Sequence, residues 1–236
     1  MNDMVQIMRP DGNLPILRWL PAAGRGPGVL VLHEIFGISP YIKARCTDLA
    51  KAGYVVYAPE LYHRLGKMIF DENSPAYVQE GVGASQRLDW EQTCADASAA
   101  LDALRAAAEV EGGVGIVGFC FGGGVGFQVA AGNAPDALVS YYGSAIPGLL
   151  AFAPSVTCPS LHHWGLADSF FPRTVVEKVE RAVTSTDPPA EFHSYAGAEH
   201  AFDNPHPFFF HRAASALAWL RTLGFLNQHL GGQQPG

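Results

Sequence analysis

Short apolar runs recur along this chain and are separated by longer segments of mixed polarity. Residues 29–32, 54–58 and 138–142 are apolar at almost every position and have the length of a strand. Continuous runs of this kind are typical of parallel strands that helices cover on both faces. Their alternation with helix-length segments predicts an α/β fold with a doubly wound, mostly parallel sheet.

The same patterns predict the individual elements. Strands are predicted at residues 16–20, 29–32, 54–58, 115–119, 138–142, 160–164 and 191–195. Helices are predicted at residues 40–50, 90–108, 122–131, 174–182 and 211–226, the first with Ser39 as N-cap and Pro40 at its first position. Residues 61–89 lack a clear period and predict a long loop over the carboxyl edge of the sheet. Residues 1–236 contain no linker or repeat and predict one domain, with flexible ends at residues 1–12 and 229–236.

Composition narrows the classes of function. The 236 residues are 48% hydrophobic and 16% charged, which is enough apolar material for a sizeable core. The net charge of -7 gives no electrostatic basis for binding nucleic acid or an anionic membrane, so we expect neither partner. The four cysteines lie far apart, form no C-x-x-C pair and follow no secretory signal, which is typical of reduced thiols in the cytoplasm. We expect a monomer or a small homo-oligomer.

The apolar strand at residues 115–119 leads into a sharp turn that carries Cys120. Glycines stand two positions before and two after it, at Gly118 and Gly122, in the pattern G-x-C-x-G. In α/β-hydrolases such a nucleophile elbow lifts the nucleophile, more often a serine, clear of the sheet. The N–H of Phe121 would point at the same space and stabilise an oxyanion, and the N-terminus of the next helix would favour the thiolate. The alternative is a buried, inert cysteine in a glycine-rich turn.

A second alternative is a dinucleotide-binding loop, because residues 113–118 match G-x-G-x-x-G. In a Rossmann unit these glycines follow the strand and open the helix. Here they precede the predicted strand and run through it. The pattern therefore favours the elbow over a dinucleotide-dependent oxidoreductase.

Polar residues after two later strands complete a candidate site. Asp168 follows the strand at residues 160–164, and His200 follows the strand at residues 191–195. Ligands of such a sheet bind beyond the carboxyl ends of its strands, and the order nucleophile, acid, histidine is that of α/β-hydrolases. Cys120, Asp168 and His200 are therefore predicted to be nucleophile, orienting carboxylate and general base. Taken singly, Asp168 could be a helix cap and His200 an ordinary loop histidine.

Glu34 is a carboxylate directly after a predicted buried strand. An unpaired charge there is costly, so Glu34 needs a partner or a proton. Taken by itself, the residue is better explained as a hydrogen-bonding residue beside the site or as a loop carboxylate in water. The zinc motif H-E-x-x-H fails after His33, because Gly37 stands where the second histidine is needed. We predict no metal and no cofactor.

Several segments together resemble the dienelactone hydrolase (carboxymethylenebutenolidase) family. They are residues 34–37, 59–62, 119–123, 141–143, 168 and 197–202, and the likeness extends from about residue 29 to the last helix. The resemblance implies a hydrolase of small esters or lactones that works through a cysteine nucleophile and a thioester. It implies that Cys120, Asp168 and His200 form the triad and that Glu34 helps to generate the thiolate when substrate binds.

The resemblance also implies the surroundings of the nucleophile. The backbone N–H groups of Ile35 and Phe121 would form the oxyanion hole, and Phe36 and Tyr141 would line the substrate pocket. We expect the pocket to be completed by Phe170, Phe202 and Asn204.

One position departs from the family pattern. The dienelactone-cleaving members are similar in having an arginine four residues beyond the catalytic histidine, which receives the substrate carboxylate. That position is Asn204 here, which puts the particular lactone in doubt. The competing class is a ligand-binding homologue that has lost turnover.

Overall fold

The computed structural model describes residues 2–66 and 68–231. The strands are β1 Asn2–Arg9, β2 Gly12–Trp19, β3 Gly26–Leu32, β4 Val55–Pro59, β5 Val110–Phe119, β6 Ala137–Tyr141, β7 Ser160–Gly165 and β8 Glu191–Tyr195. The helices are α1 Pro40–Lys51, α2 Tyr77–Ser85, α3 Trp90–Arg105, α4 Phe121–Asn133, α5 Arg173–Thr184 and α6 Arg212–Leu230.

The eight strands form one sheet in the order β1-β2-β4-β3-β5-β6-β7-β8. The first two pairings in this order are antiparallel, and the pairings from β4 to β8 are parallel. The predicted α/β class and mostly parallel sheet are confirmed. Because the parallel strands point the same way, their carboxyl ends meet at one edge, where the loops can assemble a site.

Helices cover both faces of this sheet, as the continuous apolar runs predicted. In β3, Val29 and Val31 belong to the core beneath α1 and α6, whereas Leu30 and Leu32 belong to the core beneath α3, α4 and α5. Successive side chains of a strand point to opposite faces, so both must be apolar when both faces are covered.

The N-terminal end differs from the prediction. Instead of a flexible end at residues 1–12, β1 pairs with β2 along its length. Val5 and Ile7 pack against the core, but Met4 and Met8 on the opposite face are exposed. Apolar residues on both faces hide the period of two that marks a half-buried strand. At the other end, α6 continues to Leu230, and residues 232–236 of the predicted flexible end lie outside the described residues.

The loop predicted at residues 61–89 contains helix α2 and a short 3-10 turn, His63–Leu65. Tyr77, Gly81 and Ala84 form the buried face of α2. Two glycines in nine residues lower the helix propensity, which is why the pattern did not reveal this helix. Within the described residues, no helix has both the length and the apolar character needed to cross a membrane.

Candidate active site

Cys120 lies at the sharp turn between β5 and α4. Its backbone has φ 51 and ψ -110, a strained conformation for a residue with a side chain. A Cβ on Gly118 would overlap the carbonyl of Gly122, and a Cβ on Gly122 would overlap the carbonyl of Leu32. The two glycines are therefore required by close backbone contact. The residues 113–118 that matched a dinucleotide motif lie within β5 and form no phosphate loop.

Of the three residues predicted as a triad, His200 lies within hydrogen-bonding distance of both Cys120 and Asp168. The Nε2 of His200 is 3.1 Å from the Sγ of Cys120, and its Nδ1 is 2.8 Å from Oδ2 of Asp168. The other carboxylate oxygen of Asp168 accepts from the backbone N–H groups of Phe170 and Phe171. These bonds fix the carboxylate, which in turn orients the imidazole.

The electrostatics of His200 depend on its two partners. Burial by itself lowers the pKa of the imidazole, but the adjacent Cys120 sulfur and Asp168 carboxylate outweigh it and raise the pKa to about 10. A raised pKa favours the imidazolium, which is the form that stabilises a neighbouring thiolate.

Two backbone N–H groups, those of the residues that follow Glu34 and Cys120, are candidates for the oxyanion hole. Among the described residues, the amides of Ile35 and Phe121 have no hydrogen-bond acceptor in the protein. The neighbouring amide of Gly122 donates to the carbonyl of His33, which joins the elbow to the end of β3. The hydroxyl of Tyr62 donates to the carbonyl of Ile35 at 2.8 Å and helps to fix that loop. Unpaired N–H groups beside a nucleophile are what an oxyanion hole requires.

Glu34 is buried and has one side-chain donor among the described residues. The Nδ2 of Asn204 donates to both of its carboxylate oxygens, at 3.0 and 3.2 Å. Burial raises the pKa of Glu34 to about 7, against the opposing effects of the Asn204 hydrogen bond and of His200. Glu34 is therefore poised to exchange a proton near neutral pH.

The pocket next to Cys120 is small and mostly apolar. It encloses about 20 Å³, close to the space of one water molecule. Its lining comprises Glu34, Ile35, Phe36, Val78, Cys120, Phe170, His200, Ala201 and Phe209. A substrate needs more room, so some of these side chains must move when it binds.

Phe36 lines both this pocket and a second cavity of about 640 Å³. Its ring stacks on Tyr77 of α2 at 3.8 Å, and the other neighbour of Tyr77 is the ring of His206 at 5.6 Å. Helix α2 can approach this closely because Gly81 has no side chain against Phe36. Val78, Tyr77 and Gly81 are site features that sequence reasoning missed, because the helix that carries them was not predicted.

Three predicted pocket residues do not line the pocket at Cys120. Asn204 lines a separate cavity and reaches the site only through its hydrogen bonds to Glu34. Tyr141 is in the core, where its hydroxyl is 2.7 Å from that of Thr222, and Phe202 packs in the same core against Tyr195. Tyr142 contacts the site instead, with its ring 5.2 Å from that of His200. The positive φ of 39 at Tyr142 breaks the alternation of β6 and turns this side chain toward the site.

Among the described residues, no arginine lines the pocket at Cys120 in place of the family's carboxylate-binding arginine. Arg173 is exposed and pairs with Glu177, and Arg64 pairs with Asp11 and Asp96. Arg87 and Arg212 are exposed. Phe170, in contrast, lies at the pocket with its ring 5.0 Å from His200.

A mostly parallel sheet with a cysteine at the nucleophile elbow, followed along the chain by an acid and a histidine, defines an α/β-hydrolase. The sequence model of the dienelactone hydrolase family matches residues 16–230. The chain therefore belongs to the dienelactone hydrolase family, and the enzyme class is carboxylic ester hydrolase.

Individual proteins support the same assignment. The carboxymethylenebutenolidase of Pseudomonas sp. strain P51 is 33% identical over 210 residues, which cover 89% of this chain and 87% of that protein. A candidate dienelactone hydrolase from Klebsiella pneumoniae has a structure with TM-score 0.82 and 27% identity, covering 97% of this chain and 98% of that chain. The dienelactone hydrolase structure from Anabaena variabilis has TM-score 0.72 at 21% identity, covers 98% of both chains and shares the fold.

Proposed function

We propose that this chain hydrolyses a small neutral ester or lactone through a thioester on Cys120. The observation that carries the proposal is the continuous hydrogen-bonded series from the Sγ of Cys120 through His200 to Asp168. The strained backbone of Cys120 supports it, because such strain persists where the surroundings hold a residue for function.

In the acylation step, the thiolate of Cys120 attacks the carbonyl carbon and forms a C–S bond. The negative charge that develops on the carbonyl oxygen is received by the N–H groups of Ile35 and Phe121. The tetrahedral intermediate collapses when the C–O bond to the leaving group breaks. His200 gives its Nε2 proton to that oxygen, which leaves as an alcohol or stays attached as the hydroxyl of an opened lactone.

In the second step, water hydrolyses the thioester. His200, now neutral, takes a proton from the water while the water oxygen attacks the carbonyl carbon. The C–S bond breaks, the acid is released, and the imidazolium again faces the thiolate. Asp168 holds the imidazole tautomer through both steps.

Glu34 adds a second acid–base group to this site. Its carboxylate lines the pocket and has a pKa of about 7, so it can take up a proton when substrate binds and release it later. We propose that it helps to keep Cys120 ionised during substrate binding. The hydrogen bond from Asn204 holds it for this role.

The lining of the pocket favours a neutral acyl group. Among the described lining residues there is no lysine or arginine, and Glu34 would repel a substrate carboxylate. The amide of Asn204 already donates to Glu34. Apolar contacts with Ile35, Val78 and Phe209 are the main attraction that the pocket can offer.

The four thiols support a cytoplasmic setting. Cys46, Cys94, Cys120 and Cys158 are all free. A nucleophilic thiol must stay reduced, as it does in that compartment. We propose this location on that ground.

The experiment that tests the function is a hydrolysis panel of neutral esters and lactones with the wild-type chain and Cys120→Ala. We expect turnover by the wild type and none above background by the variant, which retains the flanking glycines and the fold. A wild-type chain that binds these compounds without turnover would instead support the silent ligand-binding homologue.

A further inference from the structure

Asp203 lies three residues beyond His200 and is buried, although it belongs to no predicted site. Oδ2 of its carboxylate accepts from Nε of Arg45 and the hydroxyl of Tyr41, both at 2.7 Å. Oδ1 accepts from Nη2 of Arg45 at 2.6 Å and from the hydroxyl of Ser215 at 2.7 Å. A bidentate pair with two further donors is a strong and directional anchor. It ties the loop to both α1 and α6.

The anchored loop carries two candidate site residues, His200 and Asn204. Between them, Ala201 has a positive φ of 57, and the amide of Asn204 donates to the carbonyl of Ala201 at 2.8 Å. A strained turn keeps its shape only where the surrounding structure holds it. Asp203 lies inside this turn, so its four donors hold the backbone on which His200 and Asn204 are placed.

A second connection runs through side chains. The hydroxyl of Tyr41 lies 3.2 Å from that of Tyr142 as well as donating to Asp203. The ring of Tyr142 packs against His200 at 5.2 Å. Asp203 is therefore connected to His200 both along the chain and through two packed rings.

We propose that Asp203, fixed by Arg45, is a positioning residue that holds His200 against Cys120 and Asn204 against Glu34. Asp203 does not line the catalytic pocket and touches no reacting atom, so it acts through these neighbours. The inference rests on the proposed function, because it takes His200 as the general base.

The chain offers a matched control in Asp96. This carboxylate is also fully buried and pairs with two arginines, Arg9 at 2.9 Å and Arg64. It lies on α3 and does not line the catalytic pocket. Loss of its charge should therefore weaken the fold, as loss of Asp203 does, without moving the catalytic loop.

The experiment compares Asp203→Asn with Asp96→Asn in the full chain. Three quantities are measured: Tm, the kcat and KM for p-nitrophenyl acetate, and the rate at which iodoacetamide alkylates Cys120 as a function of pH. We expect both variants to lower Tm. Only Asp203→Asn should lower kcat, by roughly 10- to 100-fold with a smaller change in KM, the scale of a misplaced catalytic group.

The alkylation curve reports the contact between His200 and the sulfur. An imidazolium that moves away no longer stabilises the thiolate, so Cys120 of Asp203→Asn should be alkylated more slowly near neutral pH than Cys120 of the wild type. The other titratable groups that face this pair, Asp168, Glu34, Tyr62 and Tyr142, are the same in both variants. Asp96→Asn should therefore keep the wild-type curve.

The proposal is overturned if Asp203→Asn behaves like Asp96→Asn, with unchanged kcat and an unchanged alkylation curve. If Asp203→Asn does not fold, kcat and the alkylation curve are measured for Tyr41→Phe instead. This variant removes one hydrogen-bond donor to Asp203 and the contact with the Tyr142 hydroxyl. Turnover that survives in Cys120→Ala would refute the proposed function itself. An inactive Cys120→Ala beside an unaltered Asp203→Asn would refute only the positioning role.

Discussion

Glu34 and Asn204 form a buried pair in which one amide nitrogen donates to both oxygens of one carboxylate, at 3.0 and 3.2 Å. A neutral donor compensates a buried negative charge less well than an arginine would. This is the physical reason that burial can raise the pKa of Glu34 to about 7. The ionisation of Glu34 is therefore expected to affect catalysis, the pH dependence of the free energy of unfolding and the preference for neutral substrates.

Glu34→Gln is expected to lower kcat/KM by roughly 10- to 10⁴-fold, the range in which acid–base groups contribute. The amide is nearly isosteric, so the variant should fold. Activity within twofold of wild type would exclude a role for Glu34 in the reaction.

The same substitution should change how stability depends on pH. Because the folded pKa of Glu34 is raised from 4.5 to about 7, wild type loses stability as pH rises through that interval, and the variant does not. At pH 8 the shift corresponds to roughly 3 kcal/mol in favour of Glu34→Gln. Urea denaturation at pH 4 and pH 8 measures the difference, and equal differences at the two pH values would contradict the assignment.

Substrate charge is tested by comparing kcat/KM for a carboxylate-bearing dienelactone with that for a neutral ester of similar size and reactivity. We expect the neutral compound to be preferred, because Glu34 lines the pocket and would repel a substrate carboxylate. Arg173→Ala serves as control and should change neither value, because Arg173 is exposed and paired with Glu177. A tenfold or greater wild-type preference for the acid would refute the neutral-substrate proposal.

Helix α2 provides two glycines in different surroundings. A Cβ on Gly81 would lie 2.9 Å from the ring of Phe36, whereas a Cβ on Gly83 would meet nothing within 4 Å. Gly83→Ala should leave kinetics unchanged and add roughly 0.5–1 kcal/mol of stability. Gly81→Ala should displace Phe36 or the helix, and should therefore change the ratio of kcat/KM for butyrate esters to kcat/KM for acetate esters. Identical ester profiles for the two variants would show that α2 does not limit the pocket.

Much of this fold follows from local patterns. The predicted N-cap Ser39 accepts from the amide of Ile42, and α1 begins at Pro40 as expected. The nucleophile elbow could also be predicted from the sequence, because the close backbone contacts at Gly118 and Gly122 admit only glycine. Where one residue type is required by local geometry, the sequence is informative.

Other features depend on contacts that no local pattern records. The pairing of Arg45 with Asp203 joins residues that are 158 positions apart. Tyr142 contacts the site where the sequence predicted Tyr141, and this difference depends on the positive φ of Tyr142 just after β6. Resemblance to a family supplied the position of the pocket but not the register at that turn.

The adjacent histidines of β7 give a prediction about stability. Neither ring nitrogen of His162 has a partner among the described residues, whereas His163 is bonded to Tyr195 and Thr222. His162→Leu should therefore raise Tm and His163→Leu should lower it, each by the equivalent of roughly 1–3 kcal/mol. Burial lowers the pKa of His162 to about 4, so the gain from His162→Leu should grow as pH falls below 6.5. A loss of Tm in both variants would contradict this account.

The central claim is the covalent intermediate on Cys120. The chain is mixed with excess p-nitrophenyl acetate, quenched in acid and digested, and the peptides are analysed by mass spectrometry beside Cys120→Ala. The account predicts a burst of nitrophenolate equivalent to the enzyme and an acetyl group on the Cys120 peptide, both absent in the variant. Turnover without an acetyl group on Cys120, or turnover that persists in Cys120→Ala, would contradict it.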